Sequence, residues 1–224
     1  MTASSRTGNA VATSSEADRA LVPRSKRVLD LAVSGALVVL LAPVWAAVVA
    51  AAGVDMLRCP ADRGRLLYRE RRVSRGRTFG LLKFRTLKEP VLARAGGHSR
   101  PLESDPANLT WLGRRVLKPM YLDELPQLVN VLRGEMSLVG PRPWPPELVA
   151  RQVDRGVRYR LRVAAGWTGL AQVSKGRENT EFEKLDLEYV ELLRTNSGWA
   201  LAWCDLDILR QTIATIFRRE GLRY

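Results

Sequence analysis

Residues 31–54 run without a single charged side chain and carry Pro43 near the middle, while arginine and lysine crowd both flanks. As a straight helix those 24 residues would be roughly 36 Å long at about 1.5 Å per residue, enough for a hydrocarbon core of roughly 30 Å. Length therefore predicts a segment that spans a membrane. The flanks predict otherwise. Arg24, Lys26 and Arg27 precede the segment and Arg58, Arg63, Arg65, Arg69, Arg71 and Arg72 follow it, so both ends favour the cytoplasmic side. Pro43 can reconcile the two signals: lacking an N–H, it cannot bond to the Val39 carbonyl, and its ring crowds that turn, so a helix through it kinks or breaks. A helix bent there can enter and leave by one face, provided the freed carbonyl finds a partner. On these residues alone a re-entrant hairpin, a kinked spanning helix and a signal peptide ending near Ala50-Ala51-Ala52 all stay open, although the apolar stretch is long for the last.

Composition fits a protein of the cytoplasmic membrane surface. The 224 residues suit one globular domain plus an anchor. Cys59 and Cys204 are the only cysteines, which excludes a disulfide framework and points to a reducing compartment. The net charge is +13, and most of the surplus falls in residues 57–94, beside the apolar segment, where anionic lipid headgroups are the nearest partner. A nucleic-acid partner is not expected, because no familiar nucleic-acid-binding module can be read here.

The chain divides into residues 1–23, a Ser/Thr/Ala-rich tail with no apolar period, expected to be disordered; 24–57, the membrane segment; and 58–224, a cytoplasmic domain. Residues 65–68 and 78–84 read as strands around a Ser74-Arg75-Gly76 turn. Residues 88–109 contain Gly96-Gly97 and several prolines and read as a long loop. The only histidine, His98, falls in that loop and is read as solvent-facing rather than catalytic. Leu125, Leu128, Val129 and Leu132 repeat at helical spacing, with Asp123 placed as a cap and Gly134 as a stop. Phe182, Leu185, Tyr189, Leu192 and Leu193 form a second apolar stripe, and Leu206, Leu209, Ile213, Ile216 and Phe217 a third. These faces suit core burial, or the bilayer surface where Trp199 and Trp203 flank the last helix.

Chemistry concentrates in residues 122–143. Asp123 and Glu124 are adjacent, so on a helix they diverge by about 100° and can serve different tasks. One carboxylate can attack while the other holds a metal, and a helix start also favours phosphate. Alone, the pair is equally what helix-start statistics produce. Arg142 lies between Pro141 and Pro143, which stiffen the backbone and aim its guanidinium, suiting it to a diphosphate or nucleotide. Lys83 and Arg85 alternate with Phe84 on a predicted strand, so both cations can share a face for donor or lipid phosphate. Trp167 suits either stacking on a base or facing the bilayer.

Taken together, Lys83-Phe84-Arg85-Thr86, Asp123-Glu124, Met136-Ser137, Gly140-Pro141-Arg142-Pro143 and Thr168-Gly169-Leu170-Ala171-Gln172-Val173 resemble the bacterial sugar transferases, the polyprenyl-phosphate phosphoglycosyl transferases. The resemblance covers about residues 26–218 and is to the small form of the family. It implies an α-rich α+β monotopic membrane protein with a Pro-kinked re-entrant helix, a short β-hairpin and amphipathic interfacial helices, both termini on the cytoplasmic face. It also implies transfer of a sugar-1-phosphate from a UDP-sugar to undecaprenyl phosphate with release of UMP, starting the assembly of an exopolysaccharide or other glycan. By resemblance Asp123 is the nucleophile that forms a phospho-sugar intermediate, Glu124 the Mg²⁺ ligand, and Lys118 stands where the family often has Arg. An inactive membrane-bound scaffold or regulator is the alternative, and a homodimer is left open. Three positions depart from the family pattern: Ala42 where Ser often precedes Pro43, Ser74 where Gly is frequent, and Ala165 where Pro is common.

Overall fold

The computed structural model describes residues 23–95, 99, 101–174, 181–196 and 198–218, with side chains of the last helix placed through 215. His98, Gly96-Gly97, the tail up to residue 22 and the side chains of Ile216 and Phe217 lie outside the described residues. The apolar segment forms two helices, α1 (Arg24–Leu40) and α2 (Ala42–Arg58), bent by 54°. Among the described residues no single helix is long and apolar enough to cross a membrane; this pair passes only together. The break falls at Leu41, two residues before the expected kink. Pro43 instead occupies the first turn of α2, where a missing N–H costs nothing. Leu41 donates its N–H to Leu37 O at 2.9 Å, and the new ladder restarts with Trp45 N–H on Leu41 O at 2.9 Å.

Both helices pack on the domain. Val33, Leu37 and Val38 lie against a core of Leu128, Val131, Leu138, Tyr189 and Ile208. On α2, Val48 and Ala52 join Phe84, Leu112, Leu117 and Leu125 in a second cluster, and Trp45 meets Phe84 edge-to-face at 5.4 Å. The opposite sides stay bare, with Val39 at 77% and Leu57 at 76% exposure. On the inward side of α1 sit Lys26, Asp30 and Ser34, all buried and four residues apart, hence on one face. Lys26 Nζ donates to Asp205 at 2.6 Å and to the Tyr189 hydroxyl at 2.9 Å. Asp30 accepts from Ser137 Oγ and from Leu138 N–H, each at 3.0 Å.

The hairpin forms from β1 (Leu67–Ser74) and β2 (Arg77–Phe84), antiparallel with Leu67 opposite Phe84 and Ser74 opposite Arg77. β1 runs further than the expected 65–68, because Arg69-Glu70-Arg71-Arg72 continue the strand with Glu70 and Arg72 buried as an ion pair. Arg75 and Gly76 take φ of 51° and 70°, both left-handed, as a two-residue hairpin turn requires. The expected long loop contains one short helix, α3 (Glu89–Leu92), and two single 3₁₀ turns.

Next come α4 (Gln127–Leu132), β3 (Ser137–Val139), α5 (Pro146–Asp154), α6 (Tyr159–Arg162), β4 (Gly166–Thr168), α7 (Leu170–Val173), α8 (Phe182–Thr195) and α9 (Gly198–Arg218). Gly134, at φ 75°, ends α4 as expected. Asn130 fixes α4 to the hairpin: its Oδ1 accepts from Leu82 N–H and its Nδ2 donates to Gly80 O, both at 2.9 Å. β3 and β4 pair in parallel, Ser137 with Gly166 and Val139 with Thr168, a pairing that three-residue strands did not announce. A Cβ on Gly166 would stand 2.1 Å from the Gly140 nitrogen, so this close backbone approach requires glycine. The third predicted stripe is displaced: α9 buries Leu201, Ala202, Asp205 and Ile208, while Leu206 and Ile213 face outward with Trp199 and Trp203. On α8, Tyr189 is buried but Phe182 is half exposed.

The departures at 74 and 165 are one feature, since Ala165 donates its N–H to Ser74 Oγ at 3.1 Å. Proline at 165 would have no N–H to satisfy, and glycine at 74 no hydroxyl to offer. Ser74→Gly is therefore expected to cost about 1–3 kcal/mol by stranding a buried donor. Adding Ala165→Pro should recover at least half of that loss in urea melts. Strictly additive costs in this double-mutant cycle would refute the coupling.

Candidate active site

Tyr121 takes φ 55° and opens a single 3₁₀ turn, Leu122–Glu124. Asp123 therefore does not cap α4, whose N-cap is Pro126; it belongs to the separate turn before it. Leu125 belongs to the cluster around Val48 and Ala52, and Leu122 packs against it, so α2 holds this turn from one side. Asp123 is buried at 8% exposure.

Two lysines act on it. Lys83, from β2, lies directly opposite Tyr68 and sits 3.1 Å from Glu70. Lys118 pairs with Glu103 at 2.5 Å. Burial opposes the charge on Lys83, yet Tyr68, Glu70, Glu103 and Glu124 hold its pKa above the ordinary value. Burial alone would raise Glu70, but Lys83 and Arg72 overcome it and hold that carboxyl at about 2. Ser99 Oγ donates to Glu70 and is hydrogen-bonded to Glu103. The result is a connected, largely buried ionic network beside Asp123.

Asp123 itself goes the other way. Burial raises its pKa to about 7, reinforced by the adjacent Glu124 charge and opposed by Lys83 and Lys118. Glu124 faces Arg142, whose guanidinium lies 3.3 Å from its carboxylate. The backbone of Arg142 is positioned in turn: its carbonyl accepts from Arg160 Nη1 at 2.5 Å. Arg160 also donates to Asp186 at 2.5 Å and lies 4.1 Å from the centre of the Trp144 ring. Glu124 and Arg142 line a largely apolar cleft of about 290 Å³ that reaches Leu41 and Val44 at the helix bend, with Trp167 and Gln172 on its wall. Both amide atoms of Gln172 are buried without a hydrogen-bond partner.

The structure thus gathers Asp123, Glu124, Lys83, Lys118 and Arg142, and leaves Arg85 out. The Arg85 guanidinium donates to the carbonyls of Arg65 at 2.6 Å, Leu87 at 2.8 Å and Asp62 at 2.5 Å, which makes it a tie between loops. Glu70, Glu103, Tyr68 and Ser99 were missed. Tyr68 and Glu70 were legible from strand alternation once β1 was given its full length, whereas Glu103 and Ser99 come from an aperiodic stretch. A separate acidic group suits a divalent cation by its carboxylates: the ligand atoms of Asp55, Cys59 and Asp62 lie within 4.8 Å of one another. However, Asp55 already accepts from Leu112 N–H and Asp62 from Trp111 N–H, and a thiol is a soft donor. Asp123 and Glu124 offer hard carboxylate oxygens, and Asp123 is held where negative charge is unfavourable. That chemistry fits a hard divalent cation.

The bacterial sugar transferase family model matches residues 21–219. An uncharacterized sugar transferase of Haemophilus influenzae is 36% identical over 216 residues, covering 88% of this chain and 41% of that protein. The UDP-glucose:undecaprenyl-phosphate glucose-1-phosphate transferase of Caulobacter vibrioides is 35% identical over 219 residues, 91% of this chain and 73% of the relative. The exopolysaccharide production protein ExoY of Rhizobium meliloti is 32% identical over 214 residues, 88% and 87% respectively. The chain belongs to the bacterial sugar transferase family. It spans about two fifths of the length of the Haemophilus relative and most of the length of the Rhizobium one.

Because its folded-state pKa of about 7 lies above the unfolded value of 3.8, Asp123 costs the metal-free fold progressively more stability as pH rises from about 4 to about 7, and the full penalty stands above that. Asp123→Asn is expected to raise Tm at pH 8 in chelator-treated protein, by up to about 4 kcal/mol in stability for a shift of roughly three units. The gain should vanish near pH 4. A variant less stable than wild type at pH 8 would contradict this account of the site.

Proposed function

We propose that the protein is a phosphoglycosyl transferase that moves a sugar-1-phosphate from a UDP-sugar to a polyprenyl phosphate such as undecaprenyl phosphate. The printed activity of the Caulobacter relative supports the reaction class. The observation that carries the reading is the buried Asp123 carboxylate acted on by Lys83 and Lys118, next to Glu124 and Arg142. An Asp123 oxygen attacks the sugar-bearing phosphorus; a P–O bond forms as the bond to the α-phosphate breaks, and UMP leaves. A phosphate oxygen of the lipid then attacks the same phosphorus, the acyl-phosphate bond breaks, and Asp123 is regenerated beside a lipid-diphosphate-linked sugar. Two moderate barriers replace one high one.

Lys83, Lys118 and Arg142 supply the positive charge that the diphosphate needs as negative charge shifts towards the leaving UMP. A carboxyl that titrates near neutrality keeps an ionised fraction at neutral pH in which the charge is poorly solvated, a state suited to attack. Mg²⁺, with Glu124 as its ligand, would neutralise diphosphate charge when bound. The cleft from Glu124 and Arg142 to the bend at Leu41 gives an isoprenoid a path from the bilayer to the reacting groups. Such a route needs α1 and α2 inserted as a re-entrant hairpin with both ends on the cytoplasmic face, which the 54° bend and the basic flanks support. The pathway served is glycan or exopolysaccharide assembly, as the name of the Rhizobium relative suggests.

Incubation with a panel of UDP-sugars, undecaprenyl phosphate and Mg²⁺ should release UMP. Asp123→Asn should abolish both turnover and the covalent phospho-sugar adduct. An Asn variant that still accumulates labelled phospho-sugar would remove Asp123 from the nucleophile role, and folded wild-type protein inert towards every donor would favour the scaffold reading.

Topology has its own test. Single cysteines placed by Ala10→Cys and Glu220→Cys in a chain lacking Cys59 and Cys204 should label from the same side of sealed vesicles. Labelling from opposite sides would mean a spanning helix.

A further inference from the structure

A concavity of about 830 Å³ shares none of its lining with Asp123 or the cleft beside it, and five arginines line it: Arg24, Arg27, Arg75, Arg77 and Arg133. They come from the first turn of α1, the hairpin turn and the exit of α4. Two of them are held in fixed directions. Arg27 donates to the carbonyls of Val131 at 2.6 Å and Leu132 at 2.8 Å, and Arg75 donates to Gly134 O at 2.7 Å. The other three are exposed.

Crowding these groups is unfavourable. Burial lowers the Arg75 pKa first, and the charges of Arg27 and Arg77 lower it further. Arg75 also holds a left-handed φ of 51°, a conformation that side chains other than Gly, Asn and Asp adopt at a cost. The lining also holds two carboxylates, Glu135 and Asp30, and Asp30 offsets part of the effect on Arg75, but five guanidiniums still face only these two anions. A phosphate would fit: several guanidiniums can share its oxygens, and doing so relieves their mutual repulsion.

We propose that this pocket binds the phosphate headgroup of an anionic phospholipid at the membrane surface. The lipid source follows from position, because Arg24 and Arg27 of the lining lie in the first turn of α1, where the bent apolar pair begins. The inference rests on the membrane reading of α1 and α2 and is independent of the transferase reading. Its role is to set the depth and tilt of the domain: a headgroup gripped between the root of α1 and the hairpin turn ties the rigid body to the bilayer at a second point.

The test uses the full chain in neutral detergent micelles, with phosphatidylglycerol, phosphatidylcholine or inorganic pyrophosphate added and binding followed by native mass spectrometry and Tm. Wild type should retain phosphatidylglycerol over phosphatidylcholine. The triple variant Arg24→Gln/Arg77→Gln/Arg133→Gln spares the two arginines that hold α4, and should bind phosphatidylglycerol roughly a hundredfold more weakly. The corresponding triple lysine variant should keep most of the affinity. Equal binding of phosphatidylglycerol by wild type and the glutamine variant would overturn the site. Pyrophosphate binding as tightly as the lipid would overturn the lipid assignment in favour of a soluble anion. UMP release in the same micelles reads the Asp123 site alone, so its loss would count against the transferase reading and not against this one.

Discussion

Lys26 and Asp205 form a fully buried ion pair at 2.6 Å, and the architecture depends on it. A buried charge that loses its partner costs about 3–5 kcal/mol, so α1 and α9 are committed to one arrangement from which neither can slide. Asp30 and Ser34 extend that polar seam one and two turns further along α1, and Asp30 carries it into β3 through Ser137 and Leu138. A helix with a polar inner stripe and an apolar outer face is unusual for a simple membrane anchor, whose attachment to a soluble domain is ordinarily a flexible linker. Here α1 and α2 are structural members of the domain. Their inner faces belong to the core, while their outer faces stay bare and apolar.

That integration fixes the position of the turn that carries the carboxylate pair. Leu122 and Leu125 flank Asp123 and Glu124 and pack with Val48 and Ala52 of α2, while Asn130, one turn further on, locks α4 to the hairpin that carries Lys83. The bend therefore reaches the chemistry through two layers of side chains. Electrostatics then divides the labour among carboxylates. Glu70 and Glu103, each contacted by cations, stay ionised and hold Lys83 and Lys118 in place. Asp123 feels Lys83 and Lys118 but forms no ion pair with them among the described residues, and its ionised form is the disfavoured one. In the proposed nucleophile role that imbalance helps, because forming the P–O bond removes from Asp123 a charge that its resting surroundings stabilise poorly.

Much of this was legible in the chain. The apolar run with Pro43, the hairpin turn at Arg75-Gly76, the stop at Gly134 and the gathering of Lys83, Lys118, Asp123, Glu124 and Arg142 all follow from periodicity, turn chemistry or motif. What escaped was set by tertiary contacts. Arg85 alternates with Phe84 in the way that suggested a shared binding face with Lys83, yet its guanidinium is claimed by the carbonyl of nearby Leu87 and by the distant carbonyls of Arg65 and Asp62. β3 and β4 are three residues each, too short for any alternation to register. Lys26 read as one more cytoplasmic charge, because nothing in its neighbours announces a tyrosine and an aspartate 163 and 179 positions away. The α9 stripe divides for a related reason: Leu209 packs on the core, while Leu206 and Ile213 take the outward side left open beside Trp199 and Trp203. Asp205 interrupts the apolar pattern on the face that is buried, and the exposed face is just as apolar.

The missing hydroxyl at Ala42 is resolved by where the bend falls. A serine before the proline would satisfy a carbonyl freed inside a continuous, kinked helix. In this chain the ladder stops at Leu41 and restarts from the Leu41 carbonyl, with Pro43 already in the first turn of the new helix, so the break is a junction between two helices. Ser34 offers no substitute at the bend, since its hydroxyl is bonded to the Asp30 carbonyl. The angle is held instead by packing on both sides of the junction, Leu37 and Leu41 against the Leu128 core and Val44 and Trp45 against Phe84 and its neighbours. A bend fixed by side chains of the domain cannot straighten without uncovering both clusters. At roughly 25 cal/mol per Å² of apolar surface such exposure is costly, which ties the shape of the anchor to the integrity of the site it serves.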